Sequence, residues 1–245
     1  QSITISLNAS TITQKDIDEL KEKQANFKQL EAWHNYYPRP ETGLSHTDFI
    51  ENNIILKQHG FKVMAFVPGD ENLRHPLYLG LPTLEAHRSL HPLAALMDMV
   101  KMYVEHIYIG DGGLKEITAR QFCHYIKEQT GLLRGRAETI DFRYVQGDHE
   151  NRQDAARDVI RSAAARFKAI PEIHPENTIA RSKGVITIDN SDYARYMGEI
   201  QITKTDLVAD SKVNRVGQVI TDDIDLIAYI GAGQKFRIEN EKQYD

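Results

Sequence analysis

The sequence predicts a mixed α/β chain in two parts, a parallel-sheet portion over residues 1–134 and a β-rich portion over 135–245. Three observations predict it. Up to Gly131, four short apolar runs alternate with amphipathic segments, the pattern of βα units joined by right-handed crossovers. Beyond Glu138 short alternating runs separated by turn residues take over, as in an antiparallel barrel or sandwich. And 245 residues with 41% hydrophobic content suffice to bury a core.

The elements follow in order. Ile3 to Ala9 alternates as a strand. Thr13 to Ala25 reads as a helix with Thr13 as N-cap and Asp16 in the first turn. Phe27 to Asn35 is a second strand, and Ser45 to His59 a helix capped by Ser45 with Asp48 three residues on and ended by Gly60. Phe61 to Val67 is a third strand. A helical region from Thr83 to Tyr103 is interrupted near Pro92. Val104 to Ile109 is the fourth strand, and Leu114 to Thr130 a helix closed by Gly131. In the second part, Glu138 to Val145, Val185 to Ile188, Gly198 to Thr203, Arg215 to Ile220 and Phe236 to Ile238 read as strands, with Asp158 to Arg166 ambiguous between helix and strand.

Four βα units are half of a (β/α)8 TIM barrel, which takes roughly 250 residues by itself. Four parallel strands also leave two open edges. Since strand-like alternation begins at Ile3, immediately after Gln1 and Ser2, the chain is expected to begin in mid-fold.

The net charge of -5 speaks against a nucleic-acid partner, while a phosphorylated small molecule stays compatible because a local arginine cluster can sit on an acidic protein. The single Cys123 excludes an intramolecular disulfide and suits a reducing cytoplasm. No apolar run approaches the roughly 20 residues of a membrane helix, and no signal peptide is evident.

In an α/β barrel the C-terminal strand ends share one rim. Here they carry Asn8 and Ser10, then His34, Asn35 and Tyr37, then Pro68-Gly69-Asp70, then Gly110-Asp111. Asn and Asp match hydroxyls, Tyr stacks on a sugar face, and Arg holds phosphate. Each residue also has a structural reading. His34 can satisfy buried polar groups, Asp70 can shape a turn, and Asp111 in Gly110-Asp111-Gly112-Gly113 can belong to a plain turn or a phosphate cradle. In Thr83 to Arg88, Glu85 and Arg88 read as helix-start residues or as a carboxylate and an anion clamp. His87 and His91 have i,i+4 spacing, but no third ligand is evident and no metal is expected. In the second part, Ile188-Asp189-Asn190 is a strand end before a polar turn, with Arg195 after it, and the arginines Arg161, Arg166 and Arg181 face either a barrel mouth or solvent.

Six stretches carry a resemblance: H-N-Y-Y-P-R-P-E-T-G-L-S at His34 to Ser45, G-L-P-T-L-E-A-H-R at Gly80 to Arg88, V-I-R-S at Val159 to Ser162, N-T-I-A-R at Asn177 to Arg181, G-V-I-T-I-D-N at Gly184 to Asn190, and Y-A-R-Y-M-G-E-I-Q-I at Tyr193 to Ile202. In combination they resemble the MupG-type 6-phospho-N-acetylmuramidases over Ser2 to about Ile238. The resemblance implies the C-terminal two-thirds of such a protein: TIM-barrel strands five to eight, followed by a cyclophilin-like β-barrel domain. It implies a cytoplasmic glycoside hydrolase of cell-wall recycling that cleaves 6-phospho-N-acetylmuramyl-N-acetylglucosamine without a cofactor. Such chemistry needs an acid/base carboxyl and a second carboxylate or a substrate N-acetyl group. Asp70 and Glu85 are then the carboxylate candidates, with Asp111 third. Asn8, His34, Asn35 and Tyr37 line the sugar, Arg88 and Arg195 take the phosphate or lactyl carboxylate, and Asn190 contributes from the β-domain. The family commonly has an acidic residue before Gly-Leu-Pro, where this chain has Leu79. No nucleic-acid or membrane partner is implied, and homo-oligomerisation stays open. Two alternatives remain. A sugar-phosphate isomerase or epimerase needs a metal or a His/Lys pair, and no lysine lies at these strand ends. A non-catalytic sugar-phosphate-binding protein needs only the binding groups.

Overall fold

A computed structural model describes residues 3–168 and 170–244, with Arg166 described by its backbone alone. The chain divides into two units, Gln1–Ala119 and Arg120–Asp245.

In the first unit, β1 (Ile5–Asn8), β2 (Leu30–Trp33), β3 (Lys62–Val67) and β4 (His106–Ile109) form one parallel sheet in the order β1-β2-β3-β4. The expected αβ alternation is realised. α1 (Gln14–Glu22) opens with a full capping box between Thr13 and Asp16. α2 (His46–Gln58) is capped by Ser45 and followed by Gly60 at φ +83°, a left-handed conformation that glycine adopts without a Cβ penalty. The region after β3 holds only a 3-10 turn at Glu85–His87 before α3 (Pro92–Met99). Pro92 occupies the helix start, where a missing N–H costs nothing. One face of the sheet packs on the helices through Ala9, Ile17, Leu30, Ala32, Leu56, Phe61 and Val63. β1 and β4 are its two edges.

α4 (Glu116–Glu128) ends two residues earlier than its pattern suggests, and Gly131 is no helix cap. It lies in β5 (Thr130–Ala137), whose Gly131, Leu132 and Leu133 are all buried. A strand buried on both faces shows no alternation, which is why it reads as a helix end. The sequence boundary at 134/135 falls within this strand. Glu138 to Val145 is a second correction. Its alternation belongs to a 3-10 segment, Ile140–Tyr144, that inserts Phe142 into the core.

The remaining strands are β6 (Gly147–Glu150), β7 (Val159–Arg161), β8 (Val185–Asp189), β9 (Ile200–Thr203), β10 (Val213–Val219) and β11 (Lys235–Asn240). β7 resolves the ambiguous 158–166 stretch as a strand. The sheet order is β6-β11-β5-β10-β8-β9-β7. An isolated antiparallel bridge between Asn151 and Ser162 links the β6 end to the β7 end, with Arg152 N–H donating to Arg161 O at 3.0 Å. The result is a nearly closed, seven-stranded barrel-like sheet. It is antiparallel except where β5 runs parallel to β11. Among the described residues no helix is long and apolar enough to cross a membrane.

The Phe142 ring lies against Gly135 of β5 and Gly217 of β10, and a Cβ built on Gly217 would stand 2.5 Å from it. Gly217→Ala is therefore expected to cost about 1–3 kcal/mol in urea unfolding. Gly231→Ala, whose Cβ meets nothing within 4 Å, should change stability by less than about 0.5 kcal/mol.

Candidate functional site

At the C-terminal ends of β1 and β2, Asn8 and Asn35 are exposed neighbours. Asn8 Oδ1 accepts from Ser10 N–H at 2.9 Å, and Asn8 Nδ2 donates to Asn35 Oδ1 at 3.5 Å. With Ser6, Leu7 and Trp33 they line a depression of about 410 Å³. The sheet face away from the helices continues this surface. Trp33 stacks on Tyr108 with centroids 5.0 Å apart, and Phe66 lies between Trp33 at 6.3 Å and Tyr36 at 5.2 Å. Exposed Arg74 donates to Tyr36 Oη at 3.1 Å and stands over its ring. Two carboxamides at the edge of an indole platform suit a polar ring with one apolar face.

His34 lies beneath this surface, 1% exposed. Its Nε2 is 2.7 Å from Asn53 Oδ1, and its Nδ1 is 3.3 Å from Ser10 Oγ. Asn53 Nδ2 donates to Met102 O, so Asn53 Oδ1 is left as acceptor and the imidazole carries its proton on Nε2. Burial pushes His34 down to about 4. Both nitrogens are satisfied in the neutral ring, which is the structural alternative raised for this residue.

The carboxylates of the rim hold loops. Asp70 accepts from Lys115 N–H at 2.8 Å and from Thr118 Oγ at 2.6 Å, anchoring the start of α4. Asp111 is 8% exposed and accepts from the backbone of Gly69 and Leu81, each at 2.9 Å, and of Arg74 at 3.3 Å. Glu85 takes Arg88 Nε and Nη2 at 2.7 and 2.6 Å and Gly43 N–H at 2.8 Å. The Arg88 guanidinium beside Glu85 holds that carboxyl down to about 2. The other Arg88 donors reach the carbonyls of Tyr37, Gly80 and Arg39 at 2.9, 3.2 and 3.2 Å. All five N–H groups of Arg88 are thus spent inside the protein. Tyr37 is half-buried, its backbone fixed by Pro82 and Arg88.

One group could hold a metal among the described residues: His46, His87 and Asp98. Asp98 Oδ2 lies 2.7 Å from His46 Nε2 and 3.0 Å from His87 Nε2, the separations of two N–H donors sharing one oxygen. His91 is outside this group, and its Nδ1 caps α3 through Leu93 N–H.

In the second unit, Asn190 is fully buried and bonds Ser211 O, Asn214 Oδ1 and Asp192 N–H, a turn-forming role. Arg195 is exposed, donates to Tyr196 Oη at 2.7 Å and lies over that ring. The neighbour of Asn190 is the unusual group. Asp189 is 4% exposed, and burial together with the nearby Glu199 and Asp210 pushes its carboxyl up to about 7. Arg161, on the adjacent strand, donates to Glu199 Oε1 at 2.7 Å. Arg181 donates to Val208 O, and the side chain of Arg166 lies outside the described residues. Asp189 was readable only as a strand end before a turn. Trp33 and Arg74 were readable only as a strand residue and a loop residue.

Two family models match the chain. One, described as 6-phospho-N-acetylmuramidase, N-terminal, covers residues 1–124, and one described as 6-phospho-N-acetylmuramidase, C-terminal, covers 133–239. The sequence resemblance placed the chain in the C-terminal two-thirds of such a protein, whereas models of both parts match it. No curated protein matches. Two solved structures are similar. A conserved Enterococcus faecalis protein of unknown function is 47% identical, with 98% of this chain and 67% of that one covered and a TM-score of 0.90. An uncharacterized B. cereus protein, 24% identical with 96% and 70% covered and a TM-score of 0.76, shares the fold.

Two predictions follow from the buried and clamped groups. Arg88→Ala removes the cation from Glu85 and frees three carbonyls, and should cost about 3 kcal/mol in urea unfolding. Because Glu85 stays ionised down to about 2, this difference should be constant between pH 8 and 5. His34 behaves oppositely to a paired histidine. Its folded value, about 4, lies below the unfolded value of 6.5, so the unfolded chain binds the proton first. Its contribution is full above about pH 6.5 and is lost as pH falls toward 4. His34→Gln should flatten the acid side of the stability–pH curve, with His149, also held at about 4 by burial, accounting for part of the slope that remains.

Proposed function

This chain belongs to the 6-phospho-N-acetylmuramidase family, and we propose that it hydrolyses the glycosidic bond that follows a 6-phosphorylated N-acetylmuramic acid, as in 6-phospho-N-acetylmuramyl-N-acetylglucosamine. The observation that carries the proposal is the depression at the ends of β1 and β2, where Asn8 and Asn35 flank Trp33. The carboxamides offer donors and acceptors to sugar hydroxyls or an N-acetyl group, and the indole stacks on the ring face. Arg74, exposed at the same rim, supplies a cation for the phosphate or the lactyl carboxylate in place of the fully engaged Arg88. Asp70, Glu85, Asp111, His34 and Tyr37 act by fixing the loops that shape this surface. Arg195 and Asn190 keep auxiliary roles in the second unit.

The finer fold reading belongs to the same proposal. Four βα units in the order 1-2-3-4 support half of a (β/α)8 barrel, and the seven-stranded sheet supports a cyclophilin-like domain. A cytoplasmic location fits the substrate class. One observation favours a second reading, a sugar-phosphate binder without turnover: the three rim carboxylates are occupied by loop contacts.

The test is incubation with 6-phospho-N-acetylmuramyl-N-acetylglucosamine and mass-spectrometric product analysis. Release of N-acetylglucosamine is expected, and Trp33→Ala should raise KM by about 10-fold, the loss of roughly 1.4 kcal/mol of stacking. Binding without cleavage would select the second reading, and neither binding nor cleavage would reject both.

A further inference from the structure

One buried histidine differs from the others in its partners. His34 has Asn53 and Ser10 at its two nitrogens, and His149 has Ser162 Oγ at 2.9 Å and Val145 O at 2.8 Å. His91 Nδ1 caps α3. His87 is fully buried, yet its Nδ1 meets no partner. Its Nε2 lies 3.0 Å from Asp98 Oδ2, and the same oxygen lies 2.7 Å from His46 Nε2. The three atoms are within 4.8 Å of one another.

Local backbone pairing brings the two imidazoles together. Leu44 and Leu84 form a parallel bridge, with Leu44 N–H donating to Thr83 O at 3.0 Å and Glu85 N–H to Leu44 O at 3.1 Å. The bridge lies two residues before His46 and three before His87. His46 then opens α2 behind its cap Ser45, and His87 closes the 3-10 turn Glu85–His87. Their rings meet edge to face with centroids 5.7 Å apart. Asp98 comes from α3. All three residues belong to the first unit. The cluster is open on one side. The His46 side chain is 43% exposed and that of Asp98 18%, whereas His87 closes the core side at 1%. Solvent therefore reaches the cluster from the His46 side.

Two imidazole nitrogens and one carboxylate oxygen match zinc and its neighbours in the first transition row, whereas magnesium and calcium take oxygen sets. Donor atoms bound to a tetrahedral zinc ion stand about 3.3 Å apart. The two N···O separations are those of N–H···O bonds, and they lengthen to that value once the protons leave Nε2. In a neutral imidazole the proton moves to Nδ1 and frees the Nε2 lone pair for the ion. At His87 the resulting N–H finds no acceptor among the described residues, which holds the affinity to a moderate value.

We propose that His46 Nε2, His87 Nε2 and Asp98 Oδ2 bind a divalent cation of the zinc class, with water completing its shell. The ion ties α2 and α3 to the 85–87 turn. In the sequence, the i,i+4 pair His87 and His91 lacks a third ligand. The fold turns His91 to capping α3 and supplies His46 and Asp98 from two other elements. The site does not depend on the phospho-sugar reading.

The test is calorimetric titration of the metal-free intact chain with Zn2+, with Mg2+ as the control, alongside nitrogen-15 NMR of the imidazole rings. One Zn2+ per chain is expected, with a Kd on the order of 1 µM, and the Nε2 resonances of His46 and His87 should shift on binding. Losing a group that merely orients a ligand costs about 10–100-fold. His46→Ala and Asp98→Asn remove direct ligands, and each should weaken Zn2+ by about 100-fold. His46→Ala alters an exposed position and Asp98→Asn keeps the side-chain shape, so circular dichroism should show both folded, and either one alone carries the test. His174→Ala removes a 79%-exposed histidine of the second unit and should leave the affinity within about 2-fold. No Zn2+ binding up to about 1 mM, wild-type affinity in either folded ligand variant, Zn2+ binding with unmoved His46 and His87 resonances, or equal affinity for Mg2+ would each overturn the proposal.

Discussion

The rim of the parallel sheet depends on one constraint: backbone N–H groups in long loops need acceptors, and acidic side chains supply them. Asp111 gathers the amides of Gly69, Arg74 and Leu81. Asp70 ties Lys115 and Thr118 to the end of β3. Glu85 holds Gly43 and, through Arg88, the carbonyls of three further residues. A buried amide left without a partner costs about 1–3 kcal/mol, so these carboxylates are worth more to the fold than any one of them would be pointing into solvent. The loops they fix are the ones that frame the surface around Asn8, Asn35 and Trp33.

That use of the acids shapes the functional reading. A carboxyl held at about 2 by an arginine, as Glu85 is, carries no proton to donate near neutrality. In the proposed reading, ligand contacts in the first unit fall to neutral and aromatic groups, with Arg74 as an exposed cation. The second unit contains the opposite case. Asp189 Oδ1 meets no donor among the described residues, and burial pushes this carboxyl up to about 7. The contrast arises from local surroundings, since both are aspartates next to a strand end buried to a similar degree.

The sequence made the first unit largely legible. Caps at Thr13 and Ser45, the glycine at position 60 and the proline at 92 each act locally, and each lies where its chemistry requires. β5 was hidden because Leu132 and Leu133 are both buried, which erases the alternation. The Phe142 segment misled because one inserted ring imitates a strand. At the site, residue type and rim position were readable for Asn8 and Asn35. The engagement of Glu85 with Arg88, three residues apart, was present in the spacing, but its extension to Gly43 and to the carbonyls at 37 and 39 depends on loops brought together by the fold. Asp189 carried no signal of its own, because its standing is set by Glu199 and by burial.

The rim carboxylates hold loops, with Glu85 kept down to about 2 by Arg88, whereas burial pushes Asp189 up to about 7. Carbon-13 NMR titration of the aspartate and glutamate side-chain carboxyls of the intact chain tests this contrast most directly. Asp189 is expected to titrate at about 7 and Glu85 at about 2. An Asp189 resonance that titrates at or below the ordinary value of 3.8, together with Glu85 titrating near neutrality, would contradict it.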